Sequence, residues 1–168
     1  MKYISCLFIS QFFLLGLTAQ TKMDRKLKKF NKESIPYISA EALQLSKNAI
    51  LFDTRRKDEF NVSHLNNAIW VGYKEFDIDS IDAKAIDKSS EITVYCSIGV
   101  RSEDIGERLQ KAGYKNVKNL YGGIFEWKNK GFPVYDPAGN ETEKVHAFSK
   151  HWGKLLTKGE KVYGPKNR

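Results

Sequence analysis

The chain has 168 residues, enough for one domain with a real core and too few for two of ordinary size. With 41% apolar and 12% aromatic residues, it is not a disordered chain. A formal charge of +8 would suit a nucleic-acid partner, but apart from a cluster over residues 22–32 the lysines are scattered. No nucleic-acid partner is therefore predicted, and the basic surface reads as solvated or as a field that draws small anions.

The first residues differ from the rest. Lys2 precedes an apolar run from Ile4 to Leu17, and Leu17-Thr18-Ala19 ends it with small residues. The run is short for a membrane span and has the form of a secretory signal peptide over residues 1–19. The expectation is an exported protein, periplasmic or secreted, with no stable membrane insertion after cleavage. An uncleaved anchor is the alternative. Cleavage would leave 27 basic and 20 acidic residues, a charge of +7, and would remove Cys6. Cys96 would then be the mature chain's sole thiol, in a compartment where an idle thiol is a liability.

Residues 20–34 are polar and lysine-rich, with Met23, Leu27 and Phe30 at helical spacing, and read as a lead-in or frayed helix. Ser39 is placed to cap a brief helix through Leu45. Ala49–Phe52 is a continuous apolar run, as in a strand buried on both faces, and ends in Asp53-Thr54-Arg55. A helical turn over 56–60, a loop carrying His64 and a short strand over 68–71 follow. A surface helix is predicted over 80–86, and its surrounding aspartates lack the glycine and glutamate of a calcium loop. Glu91–Tyr95 is a β-branched strand running into Cys96. Ser102 is the expected cap of the next helix, with Ile105, Leu109 and Ala112 as its apolar stripe and Gly113 as its stop. A strand over 117–120, Gly122-Gly123 and a helix over 124–130 complete the series. Such alternation predicts an α/β three-layer sandwich over residues 35–135, with a mostly parallel central sheet flanked by helices. Residues 136–168 form a basic C-terminal extension. Val145, Phe148, Trp152, Leu155 and Leu156 predict that it is helical, and His146 and His151 are too poorly spaced for a metal site.

The chemistry concentrates in Cys96-Ser97-Ile98-Gly99-Val100-Arg101-Ser102, at the carboxyl end of a buried strand, where open α/β sheets place their sites. Such a loop can curl its backbone N–H groups onto the cysteine sulfur, with Gly99 permitting the tight curl. The positive end of the following helix and the charge of Arg101 also favour an anion and lower a thiol's pKa. A thiolate is the nucleophile that sulfur chemistry needs. The competing reading, a small buried hydrophobe, explains neither the glycine nor the arginine. Four residues separate Cys96 from Arg101, whereas cysteine-based phosphatases have five. The shorter loop suits a terminal sulfur atom in preference to a tetrahedral phosphate.

These residues resemble the rhodanese-like domains. Cys96 to Ser102 is similar to that family's active-site loop. Leu51-Phe52-Asp53-Thr54-Arg55, Glu59-Phe60, Ser63-His64 and Ala68 resemble its first signature, and Leu120-Tyr121-Gly122-Gly123 through Trp127, with Gly131-Phe132-Pro133, resembles its closing motif. The resemblance implies a sulfurtransferase in which Cys96 takes sulfane sulfur from a small anion such as thiosulfate. The persulfide so formed would pass it to an external thiol or to cyanide, with no metal or organic cofactor. It further implies that amides from Ser97 to Ser102 hold the persulfide, that Arg101 braces the loop and attracts the donor, and that Asp53 and Arg55 shape the mouth of the site through an ion pair. His64, Phe125 and Trp127 are expected to be structural, since a formed thiolate needs no base. Ser63 stands where the family often has glycine. Only Ser97 among the loop's variable side chains is polar, so a large charged donor is disfavoured. A binding or sulfur-carrier module that keeps the fold without turnover is the alternative function.

Overall fold

A computed structural model of the chain describes residues 21–164, and the expected signal segment lies outside them. The first helix, α1 (Lys22–Phe30), is fully formed where a frayed lead-in was expected. Thr21 Oγ1 accepts the Asp24 N–H at 3.0 Å and the Asp24 carboxylate accepts the Thr21 N–H at 2.7 Å, a reciprocal cap, while Met23 and Leu27 bury the inner face.

Strands and helices then alternate: β1 (Tyr37–Ile38), α2 (Ala40–Leu45), β2 (Ile50–Asp53), α3 (Lys57–Val62), β3 (Ile69–Trp70), α4 (Ile78–Asp82), β4 (Glu91–Tyr95), α5 (Val100–Lys111), β5 (Asn116–Leu120) and α6 (Gly123–Asn129). The five strands form one parallel sheet in the order β1-β5-β4-β2-β3, as the alternation predicted. Strand β4 lies at its centre with Ile92, Thr93, Val94 and Tyr95 all buried. Such a strand has a hydrophobic layer on both faces. On one face Ile92 and Val94 pack with Phe52, Ile105, Leu109 and Val117. On the other, Tyr95 packs with Leu65, Leu120, Ile124 and Phe125.

Two helix starts differ from expectation. Asp77 caps α4 by accepting the N–H groups of Asp79 and Ser80, so that helix begins at Ile78 and ends by Asp82. Helix α5 begins at Val100 with Gly99 as its N-cap at φ 104°, three residues before the expected Ser102 cap. The Ser102 hydroxyl instead donates to Asn119 Oδ1 on β5 at 2.8 Å.

The largest correction concerns residues 136–164, which do not form the expected helix. Beyond β6 (Val134–Tyr135), the Asp136 carboxylate accepts the N–H groups of Ala138 and Asn140, each at 2.9 Å. That turn lays β7 (Glu141–Thr142) antiparallel to β6. Next, β8 (Lys144–His146) pairs in parallel with β9 (Glu160–Val162), across a 3₁₀ turn at Trp152–Leu155. Val145 and Ala147 bury at an interval of two, with Leu155 and Leu156 in the same core layer as Trp127. Among the described residues no helix is long and apolar enough to cross a membrane.

Candidate active site

Cys96 follows β4 directly, at the carboxyl end of the central strand. The shape of its loop is dictated by where its carbonyls are tied. The Cys96 and Ser97 carbonyls accept from the N–H groups of Ile124 and Phe125, at 3.0 and 3.1 Å, in the first turn of α6. The Gly99 carbonyl accepts from both Asn119 Nδ2 and Asn31 Nδ2 at 2.8 Å. In a trans peptide the next N–H points opposite the carbonyl, so pinning these oxygens outward aims the following N–H groups inward. The Gly99 N–H reaches Cys96 Sγ at 3.1 Å.

Burial alone would raise the Cys96 thiol. The charge of Arg101 and the N–H groups of Ser102, Gly99 and Ile98 outweigh it and lower the thiol below its ordinary value. Cys96 is 1% exposed and lines a cleft of about 150 Å³. Ser97, Ile98, Val100 and Arg101 form the cleft's floor beside Cys96. Gly99 and Ser102 contribute backbone only, as cap and N–H donor.

Arg101 is held by a residue that sequence reasoning left out of the site, the Glu59 carboxylate of α3. Arg101 donates to it through Nη1 at 2.7 Å and Nη2 at 2.9 Å, and to Ser97 Oγ at 2.9 Å, while the Ser97 hydroxyl donates to Glu59 at 3.1 Å. Burial opposes the charge on Glu59, but the Arg101 fork and the nearby Arg55 hold its carboxyl down at about 2. Its only sequence signal was the Glu-Phe pair of the first signature. By periodicity alone it reads as an exposed carboxylate.

Asp53 and Arg55 do form the expected ion pair, at 2.6 Å, yet both are fully buried and neither lines the cleft. Being fully buried, they do not stand at its mouth. Arg55 also donates to the Ser63 carbonyl at 2.6 Å and stacks over the Tyr95 ring, which ties the ends of β2 and β4 to the turn after α3. Ser63 sits there with φ −171°, an extended angle open to any residue, and its hydroxyl donates to the Lys144 carbonyl at 2.6 Å. His64 stacks on Phe60 with centroids 4.0 Å apart, and its Nδ1 lies 3.2 Å from the Phe60 carbonyl, a structural setting.

Further contributors come from the ends of the described chain. Phe30 of α1 and Phe148 and Trp152 of the C-terminal extension wall the cleft. Phe30 meets Trp152 edge to face at 5.5 Å, and Phe148 lies over the Arg101 guanidinium at 5.0 Å. The assumed packing helix hid both extension residues. Gly123 was visible as half of Gly122-Gly123, but its role is spatial: a Cβ there would stand 2.3 Å from the Cys96 carbonyl oxygen. Among the described residues no cluster of three His, Cys, Asp or Glu side chains is arranged to hold a metal ion.

A family model described as Rhodanese-like domain matches residues 39–130. The chain is 28% identical over 96 residues to thiosulfate sulfurtransferase GlpE of Coxiella burnetii, covering 57% of this chain and 87% of that protein. It is 31% identical over 93 residues to a tRNA uridine(34) hydroxylase of Erwinia tasmaniensis, covering 51% of this chain and 27% of that protein. The crystal structure of a rhodanese-related protein from Thermoplasma volcanium superposes with a TM-score of 0.51 at 27% identity, covering 59% of this chain and 96% of that one.

Proposed function

Because the chain belongs to the rhodanese-like domain family, we propose that it is a sulfurtransferase that carries sulfane sulfur on Cys96. The observation that carries this reading is the convergence of backbone N–H groups on a buried sulfur whose thiolate they and Arg101 favour. In the proposed cycle the Cys96 thiolate attacks the terminal sulfur of an anionic donor such as thiosulfate. A sulfur–sulfur bond forms at Cys96, and the donor's old bond to that sulfur breaks, its electron pair leaving with the sulfite-like fragment. The negative terminal sulfur of the persulfide then stands where the N–H groups and the helix end stabilise charge. An external thiolate or cyanide attacks that terminal sulfur and regenerates the Cys96 thiolate. With residues 1–19 removed, Cys96 is the sole cysteine of the mature chain, so the acceptor comes from outside. The Glu59–Arg101 pair keeps Arg101 in place beside the sulfur throughout.

Export belongs to the same proposal, with residues 1–19 as the removable signal. One measurement reads both parts: intact mass of the protein purified from its host, before and after exposure to thiosulfate and to methanethiosulfonate. The expected result is a chain beginning near residue 20 that gains one sulfur, lost on adding cyanide and never gained by Cys96→Ser. A full-length mass would defeat export. No added sulfur from either donor, or equal loading of Cys96→Ser, would defeat the sulfurtransferase reading.

A further inference from the structure

The cleft above Cys96 is a poor seat for a small dianion. Arg101 is the one cation among the described residues that line it, and Glu59 already neutralises it through both nitrogens. Phe148 covers the guanidinium face. Thiosulfate entering sulfur-first would place one charge among the inward N–H groups and turn its sulfonate toward Phe30, Phe148 and Trp152; Lys29, Arg56 and Lys26 stand 5.6, 5.7 and 5.2 Å from those ring centroids but do not line the cleft. With those cations outside the lining and Arg101 already paired with Glu59, the sulfonate would exchange water for aromatic faces, which is unfavourable.

The same walls suit an apolar group. A volume of about 150 Å³ accommodates one benzene ring, and this cleft, open to solvent on one side, has that volume. Phe30 and Phe148 are 46% and 41% exposed, two of the few large apolar side chains that the described surface shows, and both stand at this opening. Phe148 also holds φ at 60°, a left-handed backbone that bulky side chains avoid at about 1–3 kcal/mol. The backbone around it is tied down, with its N–H donated to His146 Nδ1 at 3.1 Å and the Ala147 N–H to the Val162 carbonyl at 2.8 Å. The strained residue thus presents a ring to the cleft. All three rings lie outside residues 39–130, the stretch that the family model matches.

We propose that the sulfur donor of this protein carries an apolar, ring-sized substituent lodged among Phe30, Phe148 and Trp152, as in an aryl thiosulfonate monoanion. The inference rests on Cys96 being the sulfur carrier. The Cys96 thiolate bonds to the donor's terminal sulfur, the bond from that sulfur to the sulfonyl sulfur breaks, and the electron pair leaves with the aryl sulfinate. Two monoanions give two monoanions, and no oxidant or reductant is required.

The test compares kcat/KM for benzenethiosulfonate, methanethiosulfonate and thiosulfate, with cyanide as acceptor, in the full chain. Wild type is set beside Phe148→Ala, Phe30→Ala and, as a control, Leu45→Ala, a residue 81% exposed and outside the cleft. Intrinsic donor reactivity cancels when the aryl-to-methyl ratio is compared between proteins. We expect benzenethiosulfonate to be the best donor for wild type. The ratio should fall at least about tenfold in each ring variant and stay unchanged in the control. An equal ratio in wild type and both ring variants overturns the proposal, as does thiosulfate matching benzenethiosulfonate in wild type, a comparison that needs no variant to fold. Transfer from none of the three donors overturns the sulfurtransferase reading itself, which separates the two failures.

Discussion

A carboxylate on a short surface helix ordinarily faces water, and Glu59 does the reverse: it is fully buried, with both oxygens facing Arg101. Removing one partner of such a pair leaves an uncompensated charge and costs roughly 3–5 kcal/mol. Glu59→Gln is therefore expected to lower stability at pH 7 by about that amount, measured by urea denaturation. The pH dependence follows from the carboxyl's depression from 4.5 to about 2. A group held below its unfolded value stabilises the fold above that unfolded value, and the contribution fades as pH falls toward the folded one. Wild type should thus lose on the order of 3 kcal/mol between pH 5 and pH 2 that Glu59→Gln no longer has to lose. Parallel pH profiles for the two proteins would show that Glu59 is not the charged partner of Arg101.

At the scale of elements, the site is a joint between the end of β4 and the first turns of α5 and α6. Gly123 sits where these meet, with φ 54° and with the Cys96 carbonyl oxygen and Ile98 nitrogen within 2.8 Å of where a Cβ would stand. Gly123→Ala is expected to displace the loop, cutting sulfur transfer by a factor of about ten or more and stability by at least about 1–3 kcal/mol. Parallel kinetics and thermal melts check this, and a variant with unchanged turnover would mean the loop tolerates the shift. Strand β4 was legible as the β-branched run Glu91–Tyr95, and β2 because a parallel strand with both faces covered writes itself as a continuous apolar run. The Ser39 cap was legible for a similar reason, since a cap acts within one turn and its partner is three residues away. What escaped depended on partners far along the chain. Ser102 could not be recognised as a tether to Asn119, nor Glu59 as the partner of Arg101. The extension misled because Val145, Phe148, Trp152 and Leu155 fit a helical spacing, while Lys144–His146 pair with Glu160–Val162 and Trp152–Leu155 make only a 3₁₀ turn.

Taken whole, the molecule is a family-type α/β domain closed at one corner by its two ends. Leu156 is fully buried in the layer that holds Trp127 and Val145, so the extension belongs to the core and is not an appendage. Leu156→Ala is expected to destabilise the whole fold by roughly 2–5 kcal/mol in a single denaturation transition. A separate early transition, leaving the sheet intact, would instead make the extension an independent unit. The contact between the two ends has one more consequence. Lys26 Nζ lies 3.1 Å from His151 Nε2, a pair 125 residues apart in sequence, and Phe30 meets Trp152 beside it. Closing so long a loop comes after the shorter-range pairings that build the sheet. The aromatic wall that shelters the reactive sulfur thus hangs on a contact spanning 125 residues, the kind of closure that chain entropy places late in folding.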